Sequence, residues 1–155
     1  MHTSRLVLPA LACALLSHVA SAQIVLHTID GDQITDNLGE AVAGAGDVNG
    51  DGFSDIVVGS VSGQSPLAGT GVALVYSGAD GSLLHTLSGN VSGIRFGWSV
   101  AGAGDVDGDG HDDVIVGAPR ADNVDVNAGY ARIYSGLDGS VIRTHFGVAP
   151  ESSFG

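Results

Sequence analysis

The sequence is poor in several residue types, and each scarcity narrows what the chain can be. Lysine is absent, and five arginines stand against 17 acidic residues, which gives a formal net charge of −12. A surface this acidic disfavours nucleic acid and anionic membranes as partners and favours cations. One cysteine, Cys13, cannot form an intrachain disulfide. With one Trp, three Tyr and four Phe, the core must consist mainly of aliphatic residues.

The first 22 residues predict a secretory signal peptide. Residues 6–16 ("LVLPALACALL") form an apolar stretch, and residues 20–22 ("ASA") fit the small-x-small cleavage rule. We therefore expect cleavage after Ala22 and a secreted, extracellular or cell-surface protein. The apolar stretch is too short to cross a bilayer, so no membrane span is predicted. A lipid anchor on Cys13 is the alternative, and the poor lipobox before this residue disfavours it.

A repeat with an offset of 58 residues organises the rest of the chain. Residues 38–60 ("LGEAVAGAGDVNGDGFSDIVVGS") return as residues 96–118 ("FGWSVAGAGDVDGDGHDDVIVGA"). Repeats of this length are typical of architectures in which each unit packs on its neighbours. The predicted organisation is a signal peptide (1–22), a lone strand with a linker (23–37), repeat 1 (38–95), repeat 2 (96–153) and the start of a further repeat (154–155).

Each repeat predicts four short strands. In repeat 1 they cover residues 41–46, 55–59, 71–78 and 82–87, and repeat 2 carries the same strands 58 positions later. Asp80-Gly81 and Asp138-Gly139 join the third and fourth strands, and an Asp-Gly pair favours a tight hairpin turn with positive φ. After the signal peptide no long window shows helical periodicity. The predicted fold is therefore all-β, built of β-propeller blades with four antiparallel strands each.

Two blades cannot close a propeller ring, which usually needs roughly four to eight. We expect the lone strand at 23–29 to supply the fourth strand of a closing blade. The prediction is an incomplete propeller of two full units plus this strand, which associates with further blades or with copies of itself. A flat β-sandwich is the alternative architecture for repeated hairpins.

An acidic loop joins the first two strands of each repeat and predicts a cation site. Loop 1 (47–55) and loop 2 (105–113) both follow the pattern D-x-[DN]-x-D-G-x-x-D. Oxygens at positions 1, 3, 5 and 9 and the carbonyl of position 7 can surround one centre, and such hard ligands suit Ca²⁺. We expect about one Ca²⁺ per loop, held by Asp47, Asn49, Asp51, Phe53 (carbonyl) and Asp55 in loop 1, and by Asp105, Asp107, Asp109, His111 (carbonyl) and Asp113 in loop 2.

The loops begin as an EF-hand loop does, but they end differently. An EF-hand requires a bidentate Glu at position 12 and flanking helices. Position 12 is Val58 or Val116 here, inside an apolar predicted strand. The paired loops of a dockerin also need an acid at position 12 and a much shorter spacing. Both helical alternatives are therefore disfavoured.

Phe96-Gly97 followed by "GAGDVDGDGHDDVIVGAP" resembles the FG-GAP repeat, the blade of the integrin α-subunit propeller and of many exported bacterial proteins. The first copy matches less closely, with Leu38 in place of Phe and residues 59–61 ("GSV") in place of Gly-Ala-Pro. The resemblance covers roughly residues 24–155. It implies a calcium site in the hairpin between the first two strands of a blade, and a ring with many more blades than this chain supplies.

Three further residues have simple structural interpretations. His27 and His85 occupy the same strand position in the repeat pattern. We interpret them as half-exposed strand residues rather than as metal ligands. Trp98 is expected to pack between blades, with a carbohydrate platform as its alternative. The motifs of common nucleophilic, zinc and phosphate sites are absent, so we predict no catalytic residues and do not expect an enzyme.

These observations favour an exported binding or cell-adhesion module with an unknown protein or glycan ligand. Two alternatives stay open. The chain could be a purely structural segment of a larger secreted protein, without a ligand of its own. It could also be a fragment of a propeller-fold hydrolase, whose catalytic residues would come from several blades.

Overall fold

The computed structural model describes residues 27–30, 37–62, 69–121 and 127–155. All regular secondary structure in these residues is β-strand. The strands form two antiparallel four-stranded sheets, each in sequence order. They are β1 (Ala41–Gly46), β2 (Asp55–Ser60), β3 (Val72–Tyr76), β4 (Leu83–Ser88), β5 (Ser99–Gly104), β6 (Asp113–Ala118), β7 (Tyr130–Tyr134) and β8 (Val141–Phe146). The all-β prediction is confirmed: each repeat forms one blade-like meander, and the described strands do not close a ring.

The strand sequences explain the order of the strands in each sheet. β2 reads DIVVGS and β6 reads DVIVGA, and nearly all their residues are buried. A strand that is covered on both faces needs a continuous apolar run, so these two strands lie inside their sheets. β4 and β8 carry more polar and exposed residues and form sheet edges.

The turn between β3 and β4 differs from the predicted tight turn. Of each Asp-Gly pair only the glycine has positive φ, 76° at Gly81 and 72° at Gly139. Ser77 N donates to Ser82 O at 2.8 Å, so the turn is longer than the Asp-Gly pair. Asp80 keeps an ordinary conformation while its carboxylate accepts the N–H of Ser82 at 2.9 Å. Hydrogen bonds from the Ser82 side chain and main chain lower the pKa of the Asp80 carboxyl.

The two sheets share one hydrophobic core, because β1 and β2 pack against β5. Phe96, which lies in the connection between the sheets, is fully buried, and its ring meets Tyr134 edge to face with centroids 6.1 Å apart. The other members are mostly small aliphatic residues, as the composition predicts: Ala45, Val48, Val57, Ala73, Val75, Leu87, Ile94, Val114, Val116, Ala118 and Ala121, with Tyr130.

Trp98 is not buried between the two described blades, and it lines a recess with Ser153 and Gly155 at the start of the further repeat, so its packing between blades stays a prediction. Its side chain is 43 % exposed, and the Arg95 guanidinium lies 4.9 Å from the centre of its ring. A turn in which Trp98 N donates to Arg95 O at 3.1 Å places the indole outside the packed interior. Phe96 fills the space between the sheets instead.

Stacking of the two sheets buries one face of each repeat and leaves its other face open. Equivalent residues of the two repeats are therefore buried in one repeat and exposed in the other. Val48 in repeat 1 is fully buried, whereas its equivalent in repeat 2, Val106, is 41 % exposed. Conversely, Val42 is 62 % exposed, while its equivalent Val100 packs against the core. Each open face therefore carries apolar residues of the kind that a neighbouring blade covers.

Residues 27–30 lie against the open face of repeat 1. A Cβ atom on Gly81 would lie 2.9 Å from His27 Nδ1, and one on Gly139 would lie 3.1 Å from His85 Nδ1. Ile29 lines an apolar recess together with Val42 and other residues of repeat 1. His27 therefore contacts the β3–β4 turn of repeat 1 as His85 contacts the corresponding turn of repeat 2.

The four described residues of this segment form no regular strand. The rest of the predicted strand at 23–29 and the predicted signal peptide at 1–22 lie outside the described residues. Within the described segments, the structure contains no helix with the length and apolar character that a membrane crossing requires.

The interior of repeat 2 contains a buried hydroxyl group that lacks a partner. Tyr130 is fully buried, and its Oη atom has no hydrogen-bond partner among the described residues. The Arg132 guanidinium lies over the Tyr130 ring, at 4.6 Å from its centre, but it donates to Tyr134 Oη at 3.4 Å. Burial raises the pKa of the Tyr130 hydroxyl, so the group stays neutral.

Replacement of this hydroxyl is expected to stabilise the chain. An unsatisfied buried polar group costs about 1–3 kcal/mol, so Tyr130→Phe should raise the free energy of unfolding by about 1 kcal/mol. Tyr134→Phe is the matched control, because it removes a hydroxyl that does accept a hydrogen bond and should lower that free energy slightly. Urea unfolding measures both. Destabilisation by Tyr130→Phe beyond that of Tyr134→Phe would contradict the assignment.

Candidate metal sites

Both acidic loops lie at the same end of the two sheets. Loop 1 joins β1 to β2 and loop 2 joins β5 to β6, and the β3–β4 and β7–β8 turns lie beside them because each sheet is an antiparallel meander. A register shift next to Gly46 and next to Gly104 ends the regular pairing just before each loop. The sheet therefore supplies two fixed strand ends between which the loop turns.

Loop 2 brings together the carboxylates that the sequence predicts at positions 1, 3 and 5. Asp105, Asp107 and Asp109 are all exposed, and one oxygen from each lies within 4.8 Å of the other two. The Asp105 carboxylate also accepts main-chain N–H groups, from Gly108 at 2.7 Å and Gly110 at 3.0 Å among others. The main chain of loop 2 therefore turns around the carboxylate of its first residue, Asp105.

Loop 1 has the same main-chain arrangement with one amide among its side chains. Asp47 accepts the N–H of Asp51 at 2.9 Å and the N–H of Gly52 at 2.9 Å. Asn49 Nδ2 donates to Asp51 Oδ2 at 2.8 Å, and Asn49 Oδ1 accepts the N–H of Asp51 at 3.0 Å. Where loop 2 has a third converging carboxylate, loop 1 therefore has an internal hydrogen bond.

Crowding of carboxylates in loop 2 changes the chemistry of Asp107. Desolvation within the loop, and next the charges of Asp109 and Asp113, raise the pKa of the Asp107 carboxyl above its usual range. The ionised form of Asp107 is therefore disfavoured while the loop holds only its own groups. A cation in the loop would reverse this effect, because it stabilises the ionised carboxylates.

The aspartates at position 9, Asp55 and Asp113, are buried and bridge two loops. Asp55 accepts the N–H of Val48 at 2.8 Å through Oδ2 and the N–H of Gly78 at 2.9 Å through Oδ1. Asp113 accepts the equivalent groups, from Val106 at 2.7 Å and from Gly136 at 3.0 Å. Each of these carboxylates thus ties its acidic loop to the neighbouring hairpin turn, a role that the sequence analysis missed. A carboxylate oxygen has further lone pairs, so these bonds leave room for coordination.

The residues at position 7 differ in their surroundings. The Phe53 N–H donates to Asp51 Oδ1 at 2.8 Å, and the His111 N–H donates to Asp109 Oδ1 at 2.9 Å, which gives both residues the same main-chain position. The Phe53 side chain is 60 % exposed. The His111 ring instead contacts repeat 1, with Nδ1 at 2.9 Å from Val48 O.

Contacts between the two repeats also shape this region, and the sequence motif of a single repeat does not predict them. Asp112, at position 8 of loop 2, contacts the main chain of loop 1, and His85 Nε2 lies 2.6 Å from Gly136 O. The chain carries Ser54 at the position equivalent to Asp112. The repeat alignment points to His85 as a recurring strand residue, but no signal in the sequence identifies its partner.

The donor set of loop 2 fits a calcium ion. Calcium takes oxygen ligands at about 2.3–2.6 Å, so two ligands on opposite sides of the ion lie up to about 5 Å apart. Three carboxylate oxygens within 4.8 Å of one another meet this limit. Exposure of all three residues leaves room for water molecules, which commonly complete the coordination of this ion.

Comparison with known proteins identifies the repeat. The family model for the FG-GAP repeat matches residues 38–76 and 96–134. The chain is 37 % identical over 119 residues to integrin alpha-4 of Xenopus laevis, which covers 74 % of this chain and 11 % of that protein. It is 36 % identical over 114 residues to integrin alpha-IIb of Homo sapiens, which covers 70 % of this chain and 11 % of that protein.

A third relative, integrin alpha-PS5 of Drosophila melanogaster, is 36 % identical over 107 residues, which cover 63 % of this chain and 10 % of that protein. The chain therefore spans about a tenth of the length of the curated relatives that it matches. The family match covers half of the chain and falls on both blades, each with its acidic loop at the predicted place. The chain belongs to the FG-GAP repeat family.

Proposed function

We propose that this chain is a calcium-binding propeller segment that acts outside the cell as a binding or adhesion module. The observation that carries the proposal is the convergence of the Asp105, Asp107 and Asp109 carboxylates in loop 2. Membership of the FG-GAP family and the similarity to integrin alpha chains support it. The proposed ligands are Asp47, Asn49, Asp51, Asp55 and the Phe53 carbonyl in loop 1, and Asp105, Asp107, Asp109, Asp113 and the His111 carbonyl in loop 2.

In this proposal calcium has a structural task. Each loop connects the first two strands of its blade, so an ion that neutralises the loop also fixes the register of these strands. Asp55 and Asp113 extend the effect, because their hydrogen bonds join the loop to the β3–β4 or β7–β8 turn. Calcium in this position replaces the stabilisation that exported domains often obtain from disulfides.

Calcium is expected to raise the melting temperature of chelator-treated protein. A free concentration of about 100 times the dissociation constant adds about 2.7 kcal/mol per site. Asp109→Ala removes a ligand from loop 2 and should abolish about half of this stabilisation, because loop 1 stays intact. Circular dichroism during heating measures the effect.

Asp138→Ala serves as the control, since it removes an exposed acid that lies outside both loops. The calcium proposal is wrong if millimolar Ca²⁺ leaves the melting temperature unchanged. The assignment of loop 2 is wrong if the Asp109→Ala and Asp138→Ala variants respond to calcium alike.

An exchange of the residues at position 3 tests the electrostatics of the loops. Because its pKa is raised in the folded chain, ionised Asp107 destabilises the fold at neutral pH without a cation. Asp107→Asn should therefore melt higher than the wild type in chelator at pH 7, and the difference should vanish as the pH falls to the unfolded-state pKa of aspartate. Asn49→Asp, the reciprocal change, should melt lower.

In calcium the order should reverse, because a carboxylate ligand holds the ion more tightly than an amide does. We expect about tenfold weaker calcium binding at loop 2 in the Asp107→Asn variant. Calorimetric titration measures this affinity. A wild-type chain that is more stable than Asp107→Asn in chelator at pH 7 would refute the inference that ionised Asp107 destabilises the fold.

The proposed ligand surface lies at the end of the sheets opposite the acidic loops. Arg95 stacks on the exposed Trp98, and both line a recess together with Pro119 and Arg120. Two of the five arginines of a strongly acidic chain are thereby concentrated at one place. Arg and Trp are enriched among the residues that dominate binding interfaces, and this pair suits an acidic protein segment or a glycan.

The open faces support a further part of the proposal, namely that other FG-GAP blades complete the propeller. Val106 and Val42 are exposed, whereas their equivalents Val48 and Val100 pack in the core between the two repeats. The covering blades would belong to a longer protein or to another copy of this chain. The location outside the cell rests on the signal-peptide pattern of residues 1–22. Nothing in the described residues favours the hydrolase alternative over binding.

Trp98→Ala is expected to weaken ligand binding at least tenfold. The test applies the chain, in calcium, to immobilised glycans and extracellular matrix proteins, and compares Trp98→Ala with Leu137→Ala. Leu137 is also exposed but lies in the β7–β8 turn, at the acidic end, so its loss should leave binding unchanged. Failure of the wild type to bind any surface would favour the purely structural alternative. Equal loss in both variants would refute the Trp98 surface.

A further inference from the structure

Asp112 makes two hydrogen bonds to one residue of the preceding repeat. Its Oδ2 atom accepts the N–H of Asp47 at 2.8 Å, and its own N–H donates to Asp47 O at 3.0 Å. Asp47 is the first residue of loop 1 and lies 65 positions earlier in the chain. Both main-chain polar groups of a predicted first ligand are therefore held by a residue of loop 2.

The surroundings of this contact show that loop 1 is shaped to receive it. Gly46 has φ of 82°, and a Cβ atom there would overlap the Asp112 carboxylate. His111 extends the contact further along loop 1, because its Nδ1 lies 2.9 Å from Val48 O and its ring leaves only 3.0 Å to a Cβ atom on Gly50. Repeat 2 thus contacts the main chain of loop 1 along its first half.

Loop 2 has no equivalent contact among the described residues. Val48, next to Asp47, is fully buried beneath repeat 2, whereas the equivalent Val106 is 41 % exposed. The position equivalent to Asp112 in repeat 1 is Ser54, which is exposed. In both loops the aspartates at positions 1 and 9 accept main-chain N–H groups, and among the described residues only loop 1 is contacted by the position-8 residue of the other repeat.

We propose that Asp112 is a positioning residue for the cation site of loop 1, so that one blade supplies the ligands and the next blade fixes the first of them in place. The proposal rests on the calcium binding proposed above. Asp112 lies at position 8, outside the predicted ligand positions of its own loop. Asp112 holds the main chain of Asp47. This contact fixes the position of the Asp47 carboxylate, which is the first predicted ligand of loop 1.

The proposal distinguishes a hydrogen-bond acceptor from a negative charge. Asp112→Asn keeps an oxygen that can accept the Asp47 N–H, whereas Asp112→Ala removes the acceptor. If positioning is the mechanism, Asp112→Ala weakens calcium binding at loop 1 about tenfold, and Asp112→Asn stays within about twofold of the wild type. Ser54→Ala is the matched control at the same loop position in repeat 1.

Two backgrounds separate the loops. A chain with Asp107→Ala and Asp109→Ala reports calcium binding by loop 1, and a chain with Asn49→Ala and Asp51→Ala reports binding by loop 2. Calorimetric titration should show the effect of Asp112→Ala only in the first background. Equal weakening in both backgrounds would mean a general loss of structure and would overturn the proposal, as would equal weakening by Asp112→Asn and Asp112→Ala.

A second measurement needs no cation. Hydrogen exchange of the Asp47 amide in chelator should be slow in the wild type and in Asp112→Asn, and at least tenfold faster in Asp112→Ala, while the Val106 amide, which bonds within repeat 2, keeps its rate. Fast exchange at Asp47 in the wild type would overturn the proposal. If neither background binds calcium, the proposed function fails and this inference fails with it. Slow exchange at Asp47 would then leave Asp112 as a tether with a purely structural role.

Discussion

Repulsion among carboxylates within a short turn is the constraint on which this structure depends. Loop 2 places one carboxylate oxygen from each of three exposed aspartates within 4.8 Å of the other two, and desolvation followed by the charges of Asp109 and Asp113 raises the pKa of the Asp107 carboxyl. The main chain offsets part of the repulsion, because Asp105 accepts N–H groups of its own loop and Asp113 accepts those of Val106 and Gly136. A bound cation would offset the remainder and would fix the strands that leave the loop.

The second constraint is that a blade buries its faces only against other blades. Val48 and Val106 have the same residue type and the same place in the repeat, and only the first is buried. The same holds for loop 1, whose first residue is held by Asp112 of the next repeat, while the first residue of loop 2 has no such support among the described residues. Packing and the proposed cation site of loop 1 are therefore connected, because repeat 2 both buries Val48 and holds the first residue of that loop.

Much of this arrangement could be predicted from the sequence, because it recurs at a fixed offset. The repeat predicted eight strands whose observed ends lie within about two residues of expectation, and the D-x-[DN]-x-D-G-x-x-D pattern predicted the carboxylates that meet in loop 2. Contacts between repeats could not be predicted, because residues 65 positions apart leave no local pattern. This explains why the contact of Asp112 with loop 1 was missed, and why Phe96 was not predicted as the large residue between the sheets. The Asp-Gly pair also did not predict that the Asp80 carboxylate accepts the N–H of Ser82. In the resulting turn only Gly81 has positive φ.

The central claim is that both acidic loops are calcium sites, and the number of ions bound per chain tests it most directly. Equilibrium dialysis of the purified chain against ⁴⁵Ca²⁺, followed by counting of bound ion per protein, measures this number. The account predicts a plateau at two calcium ions per chain. A plateau at zero would contradict it, and so would binding that rises with calcium concentration without reaching a plateau, as nonspecific binding to an acidic surface does.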